Sequence, residues 1–271
     1  KIRRTINEDS ENQNNKKLKT IILKNIQKND TYELSKLLVW LFTQEKKFQE
    51  ALDYEISIDR RFDDNKYAIY NLGLITKTNN QYNTSLKCFN YIIKNSNEGT
   101  YEYETSLLKK LEVDFLIHIE SSIPNKQNSI ALAKKLQAAI NKIGVKSETI
   151  FMLKNYCYIL SKFLNQTKEA ISIMEQAVNN TSLEKYDIAI CKMELASLLL
   201  DLGQIWESSL IYSQVEKKFK NDIIGQEAKF EKIKINYYSG EFEWAQSQLN
   251  ILKQSTSKLI ANNAMKLSLL I

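Results

Sequence analysis

Proline and glycine are scarce in this sequence, which has one Pro and six Gly among 271 residues. Tight turns and strand hairpins depend on these two residue types, so their scarcity excludes a fold made of many short strands. Hydrophobic residues make up 43% and charged residues 26% of the chain, which is enough apolar material for a folded core. The abundant Leu, Ile, Lys and Glu favour helices. The composition therefore predicts an ordered, all-α protein.

Cysteine and histidine are also few, and they are too scattered for a metal or redox centre. The three cysteines, Cys88, Cys157 and Cys191, form no C-x-x-C pair, and each lies in an apolar helical stretch. His118 is the only histidine, so neither a histidine-based metal site nor a catalytic triad is available. We interpret all four residues as structural.

Motifs for nucleotide binding or acid–base catalysis are missing as well. Six dispersed glycines cannot form a phosphate-binding loop. Acidic neighbours such as Asp63 and Asp64 are better explained as a solvated turn than as a catalytic pair, because nothing in the sequence places them in opposed environments. We therefore predict no catalytic residue, no metal and no cofactor, and a protein that is not an enzyme.

The net charge of +6 is not spread evenly over the chain. Residues 1–28 contain eight Lys or Arg against three acidic residues, whereas the remaining lysines alternate with Asp and Glu at helical spacing. A nucleic-acid-binding surface needs a basic stripe along the folded body, so we predict no nucleic-acid partner. No apolar run approaches the ~18 residues that a transmembrane helix needs, so we predict no transmembrane segment.

Both ends of the sequence suggest a segment of a longer protein. The chain begins at Lys1 without Met, and it ends inside the apolar helical pattern Met265–Ile271. We expect residues 1–30 to be the remnant of a preceding repeat, and residues 31–271 to form the folded body with a truncated helix at its C-terminal end. The apolar face of a helix expected over residues 12–28 consists of Leu18, Ile21, Ile22 and Ile26.

Small residues recur along the sequence at the spacing of helix pairs, 34 to 44 residues apart. A small side chain at such a position lets two helix backbones approach closely. Residues four and seven positions further on are apolar in every repeat except at Glu55, which gives the i, i+4, i+7 face of a buried helix. The recurring small residues are Ala51, Ser85, Ser129, Ala170, Ser208 and Ala245.

This pattern resembles the tetratricopeptide-repeat family, whose unit is a helical hairpin of about 34 residues. The clearest unit is Met193–Tyr212, an apolar helix, a turn at Gly203 and a second apolar helix. The resemblance covers about residues 31–253, and it implies a right-handed α-solenoid of antiparallel helix pairs with about six degenerate repeats. No unit ends in the family's usual proline, and Ser replaces the helix-opening Ala three times. The third unit, Thr100–Ile143, has a long first helix and contains Pro124, so we expect irregular geometry there.

The resemblance also implies a binding surface, because in this family the first helices of successive pairs line a concave groove. Aromatic rings beside lysines in such a groove suit an extended peptide or a partner helix, so the implied partner is another protein. The alternative for these residues is that many of them pack between helices. Trp40 occupies a position where the family's carboxylate clamp needs Asn, so capture of a C-terminal tail is not expected. The candidate partner-binding residues are Lys36, Trp40, Tyr67, Tyr70, Lys77, Met193, Phe230, Lys234 and Tyr237.

The last seventy residues resemble a narrower group, the exported repeat proteins of Gram-negative envelopes. The resemblance lies in the segments 224–230, 237–240 and 252–261. It implies a location in the periplasm or at the periplasmic face of the outer membrane, and a scaffold that helps to assemble or secrete envelope proteins in contact with outer-membrane machinery. Two alternatives remain open: a cytoplasmic peptide sensor, and a regulatory arm of a larger protein.

Overall fold

A computed structural model describes residues 13–62, 66–121 and 125–271 of the chain. Within these ranges the protein has fourteen α-helices and no strand. A 3-10 turn, Ser147–Thr149, precedes the eighth helix. The helices are α1 Gln13–Lys28, α2 Tyr32–Gln44, α3 Phe48–Phe62, α4 Tyr67–Thr78, α5 Tyr82–Lys94, α6 Tyr101–Glu120, α7 Lys126–Ile143, α8 Ile150–Lys162, α9 Thr167–Val178, α10 Lys185–Asp201, α11 Ile205–Lys218, α12 Ile223–Tyr238, α13 Phe242–Leu252 and α14 Lys258–Ser268.

The recurring small residues determine how the helices pair. Each of the six is the fourth residue of a second helix (α3, α5, α7, α9, α11 or α13), and each is fully buried. The residues four and seven positions further are buried in all six helices as well. The predicted register of the repeats and the predicted all-α solenoid are therefore confirmed.

The chain divides into two compact units, Lys1–Ser121 and Ser122–Ile271. In the first unit, α1 to α5 enclose a core that includes Leu38, Leu52 and Ile69. In the second unit, one core cluster lies between α10, α11 and α12, and another between α12, α13 and α14. Consecutive helices within each unit pack against each other, as expected for the helical hairpins that the sequence predicts.

Several local expectations can be compared with the structure. The helix over residues 12–28 is present as α1, and Leu18, Ile22 and Ile26 pack on the first core, but Ile21 is exposed. The assignment of Ile21 to the buried face was therefore wrong, because the contact of α1 with α2 covers only a narrow stripe. The long first helix of the third unit is α6, with 20 residues. Pro124 lies outside the described residues, as do Asp63 and Asp64.

The four residues interpreted as structural are buried in helices. Cys88, Cys157 and Cys191 are fully buried as free thiols, and His118 is also buried. No helix among the described residues combines the length and the apolar character that crossing a membrane requires.

Candidate functional site

The main candidate site is a cavity of about 170 Å³ within the first unit. It is lined by side chains from the first helices α4 and α6, by Ile92 of α5, and by Lys66 in front of α4. We call it the tyrosine cavity, because three tyrosine side chains form much of its wall. The complete lining consists of Lys66, Tyr67, Tyr70, Ile92, Tyr101, Glu102, Thr105 and Ser106.

The three tyrosines differ in how firmly the fold holds them. Tyr70 is half-buried, and its ring packs edge-on against Phe89 with 5.7 Å between ring centroids. Burial raises the pKa of the Tyr70 hydroxyl above its ordinary value, while the nearby Lys109 acts in the opposite direction. Tyr67 and Tyr101 are 67% and 79% exposed. One ring is therefore part of the core, and the other two are open to a partner.

Two of the predicted groove lysines form ion pairs. Lys36 Nζ lies 2.8 Å from the carboxylate of Glu55, the buried acidic residue of α3. Lys77 Nζ lies 2.5 Å from Glu112 on α6, which Lys109 also contacts at 2.9 Å. Burial alone would raise the pKa of Glu112, but hydrogen bonds from the two lysines outweigh it and hold the pKa below its ordinary value. Both groove lysines thus hold helices together.

The predicted residues of the second unit lie close to its cores. Met193 packs against the cluster between α10 and α12, and Phe230 and Tyr237 pack against the cluster between α12 and α14. Lys234 pairs with Glu231 at 2.7 Å, and its ammonium lies 5.9 Å from the centre of the Phe230 ring. Each of these side chains is only partly exposed.

Only some of the nine candidates meet in space. Tyr67 and Tyr70 line one cavity, and Phe230 contacts Lys234. Trp40 is half-buried on α2. Whether these residues bind a partner stays a prediction.

Sequence reasoning missed the part of the tyrosine cavity that comes from α6. Tyr101, Thr105 and Ser106 were not proposed, because the third repeat was set aside as irregular. A signal was nevertheless present, since Tyr101 follows Tyr67 by 34 residues, the length of the family repeat. Applying the 34-residue spacing once more, from α4 to α6, would have identified Tyr101 as a candidate.

Two further concavities lie in the second unit, between α7, α8 and α9. Their volumes are about 460 and 360 Å³, and both contain Gln137 and Tyr156. Lys126 and Lys134 stand on the α7 side, and Glu169 stands on the α9 side. Because α7 and α9 are second helices, these concavities do not belong to the predicted first-helix groove.

The thiols and the histidine are poorly suited to reaction. Burial raises the pKa of Cys88 to about 12 and that of Cys191 to about 11, and it also raises the pKa of Cys157. Burial lowers the pKa of His118. The thiols are therefore protonated and the imidazole is neutral near pH 7. In the described part of the chain, no three His, Cys, Asp or Glu residues are grouped so that they could hold a metal ion.

Comparison with solved structures finds proteins that are similar to this chain. A tetratricopeptide repeat protein from Parabacteroides merdae aligns over 93% of this chain and 91% of its own, with a TM-score of 0.56 and 15% identity. A Rap protein complexed with competence and sporulation factor aligns over 87% of this chain and 69% of its own, with a TM-score of 0.49 and 14% identity. No protein-family model and no curated protein sequence matches. The first of these structures, together with the buried small residue at the fourth position of each second helix, shows that this chain has the tetratricopeptide-repeat fold.

Proposed function

We propose that this chain is a protein-interaction scaffold that binds an extended peptide or a helix of another protein. The observation that carries the proposal is the tyrosine cavity. Tyr67 and Tyr101 expose most of their surface on neighbouring first helices, beside a cavity that is also lined by Tyr70, whose ring packs against the core. Rigid aromatic side chains next to a preformed pocket contribute buried area at low entropic cost, which is typical of energetic centres in protein interfaces.

The test is capture of a partner by the tagged full chain from an extract of the source organism. Tyr67→Ala is the informative variant, because Tyr67 is exposed and its removal leaves the core intact. Loss of an aromatic anchor should weaken binding by about 2 kcal/mol, which is roughly thirtyfold. Quantitative mass spectrometry of the captured proteins measures the change for each partner.

Tyr238→Ala is a matched control, because Tyr238 is a similarly exposed tyrosine that lies in the second unit, on α12. It should retain every partner that the unmodified chain captures. If Tyr67→Ala and Tyr238→Ala recover the same proteins in the same amounts, the tyrosine cavity is not the binding surface. The exposed Trp206 and Trp244 on the second helices would then be the next residues to substitute.

The proposed role is binding rather than catalysis. The strongest nucleophiles of the chain are protonated thiols in the core, and its one imidazole is buried. Ion pairs use the charged residues Lys36, Lys77 and Glu112 to join helices. A passive scaffold needs no further chemical groups, and we assign it no cofactor, metal or nucleic acid.

We further propose that the scaffold works in the periplasm or at the periplasmic face of the outer membrane, where it helps to assemble or secrete other proteins. The support for this location is the resemblance of residues 224–261 to exported envelope repeat proteins. Fractionation of source cells, with immunodetection of the chain, tests the location. Recovery with cytoplasmic markers would overturn it and would favour the peptide-sensor alternative.

A further inference from the structure

The outer face of α1 concentrates positive charge. This helix contains five lysines and no acidic residue. Only Lys19 turns to the protein, where its Nζ lies 4.1 Å from the centre of the Phe42 ring and 3.9 Å from the carboxylate of Glu45. The other four lysines are exposed and form no ion pair within the described ranges: Lys16, Lys17, Lys24 and Lys28.

Three of these lysines lie in line with one exposed apolar side chain. Because successive residues of an α-helix are rotated by about 100°, Lys17, Ile21, Lys24 and Lys28 fall within a sector of roughly 60°. The line is about 16 Å long, since the helix rises about 1.5 Å per residue. Ile22, which is buried in the first core, lies on the other side of the helix. We call the four aligned side chains the lysine stripe.

Ile21 gives the lysine stripe an apolar centre. Its side chain is 56% exposed, and it borders one shallow depression together with Lys16, Lys17 and Thr20. A membrane surface that contains anionic lipid offers a matching pair of layers. Lysine ammonium groups contact the anionic headgroups, while an apolar side chain reaches the boundary of the acyl chains below them.

Other anionic partners match the lysine stripe less well. Duplex nucleic acid offers phosphates to the lysines but no apolar layer to Ile21, and α1 contains no Arg and no aromatic residue that could contact bases. An acidic protein would need carboxylates at the spacing of the three lysines. Lipid headgroups move laterally and adjust to any spacing, so the charge and the shape of the stripe favour a lipid surface.

We propose that α1 docks on the surface of a membrane that contains anionic lipid, with the lysines of the stripe at the headgroups and Ile21 inserted between them. Lys16, which borders the same depression as Ile21, adds a fourth charge. Each lysine near such a surface contributes about fivefold in affinity, so the four together contribute roughly 600-fold. This inference goes beyond the proposed function, because contact with lipid requires neither the tyrosine cavity nor a partner protein.

The test is co-sedimentation of the full chain with phosphatidylcholine vesicles, either pure or with about one third phosphatidylglycerol. We expect binding to the anionic vesicles only, and release at about 0.5 M salt, because screening then shortens the reach of the charges to a few ångströms. Ile21→Ser should weaken binding about fivefold, since it removes the inserted apolar group. Its exposure means that the core of the first unit is kept.

A pair of double variants separates the lysine stripe from net charge. Lys17→Gln/Lys24→Gln should weaken binding to the anionic vesicles about 25-fold. Lys168→Gln/Lys217→Gln changes the net charge equally at two exposed lysines of α9 and α11, and it should bind as the unmodified chain does. Circular dichroism confirms that each variant keeps its helices.

Three outcomes would overturn the inference. The first is equal binding to neutral and anionic vesicles, or binding to neither, which needs no variant. The second is an equal loss in the two double variants, because net charge alone would then explain binding. The third is unchanged binding of Ile21→Ser together with equally tight binding of the chain to a DNA duplex, which would make the stripe a general contact for polyanions.

Discussion

Single residues show how this fold places charge next to its core. The position four residues after the small residue of each second helix holds Phe89, Met174 and Leu249 in three of the pairs, all fully buried. The first pair has Glu55 there, and it is buried too. Lys36 reaches it from α2 with Nζ at 2.8 Å. An ion pair thus takes the place of apolar packing at one position of the repeat.

Removing the lysine alone should destabilise the first unit. Lys36→Met deletes the ion pair but leaves the Glu55 carboxylate buried, and we expect a loss of about 3 kcal/mol in the free energy of unfolding. The double variant Lys36→Met/Glu55→Leu restores an apolar residue at this position, and most of the loss should be recovered. Urea denaturation measures both. A double variant as unstable as Lys36→Met would show that the position cannot accept apolar packing.

Two buried serines should respond to alanine substitution with opposite signs. Ser85→Ala deletes a hydrogen bond to the Gly73 carbonyl and should lower the free energy of unfolding by about 1 kcal/mol. Ser106→Ala deletes a hydroxyl that has no partner among the described residues, so it should raise that free energy by about 1 kcal/mol. Thermal unfolding of the two variants side by side checks the difference. A similar loss in both would mean that Ser106 is satisfied in the free protein.

At the scale of helices, two glycines lie where another part of the chain comes close to the helix backbone. A Cβ added at Gly73 of α4 would lie 2.8 Å from atoms of the Phe89 ring on α5. A Cβ added at Gly225 of α12 would collide with the backbone carbonyl of Phe219, which follows α11. A ring can rotate away, whereas a carbonyl moves only with its main chain. The contact of α12 with the preceding segment is therefore the more rigid one.

Substitution of each glycine by alanine should distinguish the movable ring near Gly73 from the fixed carbonyl near Gly225. Gly225→Ala should lower the free energy of unfolding by about 3 kcal/mol, because the main chain between α11 and α12 must shift. Gly73→Ala should lower it by about 1 kcal/mol, since the Phe89 ring can move and alanine favours the helix. Chemical denaturation gives both values. Equal losses would show that the Phe89 ring is as constrained as the main chain.

At the scale of the whole molecule, each of the three core clusters described above lies within one unit. The core between α1 and α5 uses residues of the first unit only, and the two clusters from α10 to α14 use residues of the second unit only. Stacked repeats derive their stability from contacts with their immediate neighbours, so each part of the chain depends mainly on nearby helices. Each unit thus contains the contacts that a folded repeat array needs.

A fragment of residues 122–271 should consequently fold without the first unit. We expect a helical circular-dichroism spectrum and a cooperative thermal transition, because both core clusters of α10 to α14 are retained. The matching fragment of residues 1–121 keeps the core around Leu38 and Ile69 and should behave in the same way. A broad, non-cooperative melt of either fragment would show that the first and second units stabilise each other.

The sequence by itself determined the helix pairs and their register. Ala51, Ser85 and their four equivalents predict which face of each second helix is buried. Two helix backbones can approach closely only at a small side chain, and this holds whichever helix is the neighbour. The apolar helical stretches around the three cysteines likewise predicted buried thiols. These features depend on neighbours within one hairpin, which the sequence places side by side.

Only the tertiary structure decided which side chains of different helices meet. Lys36 and Lys77 were predicted to line a groove, and the structure adds that they form ion pairs with Glu55 and Glu112 on neighbouring helices. The cavity that joins Tyr67 to α6 depends on the distance and rotation of helices that are separated by a full repeat. Spacing along the chain predicts which residues share a face, whereas the size of a gap between two faces follows from how the whole hairpins pack.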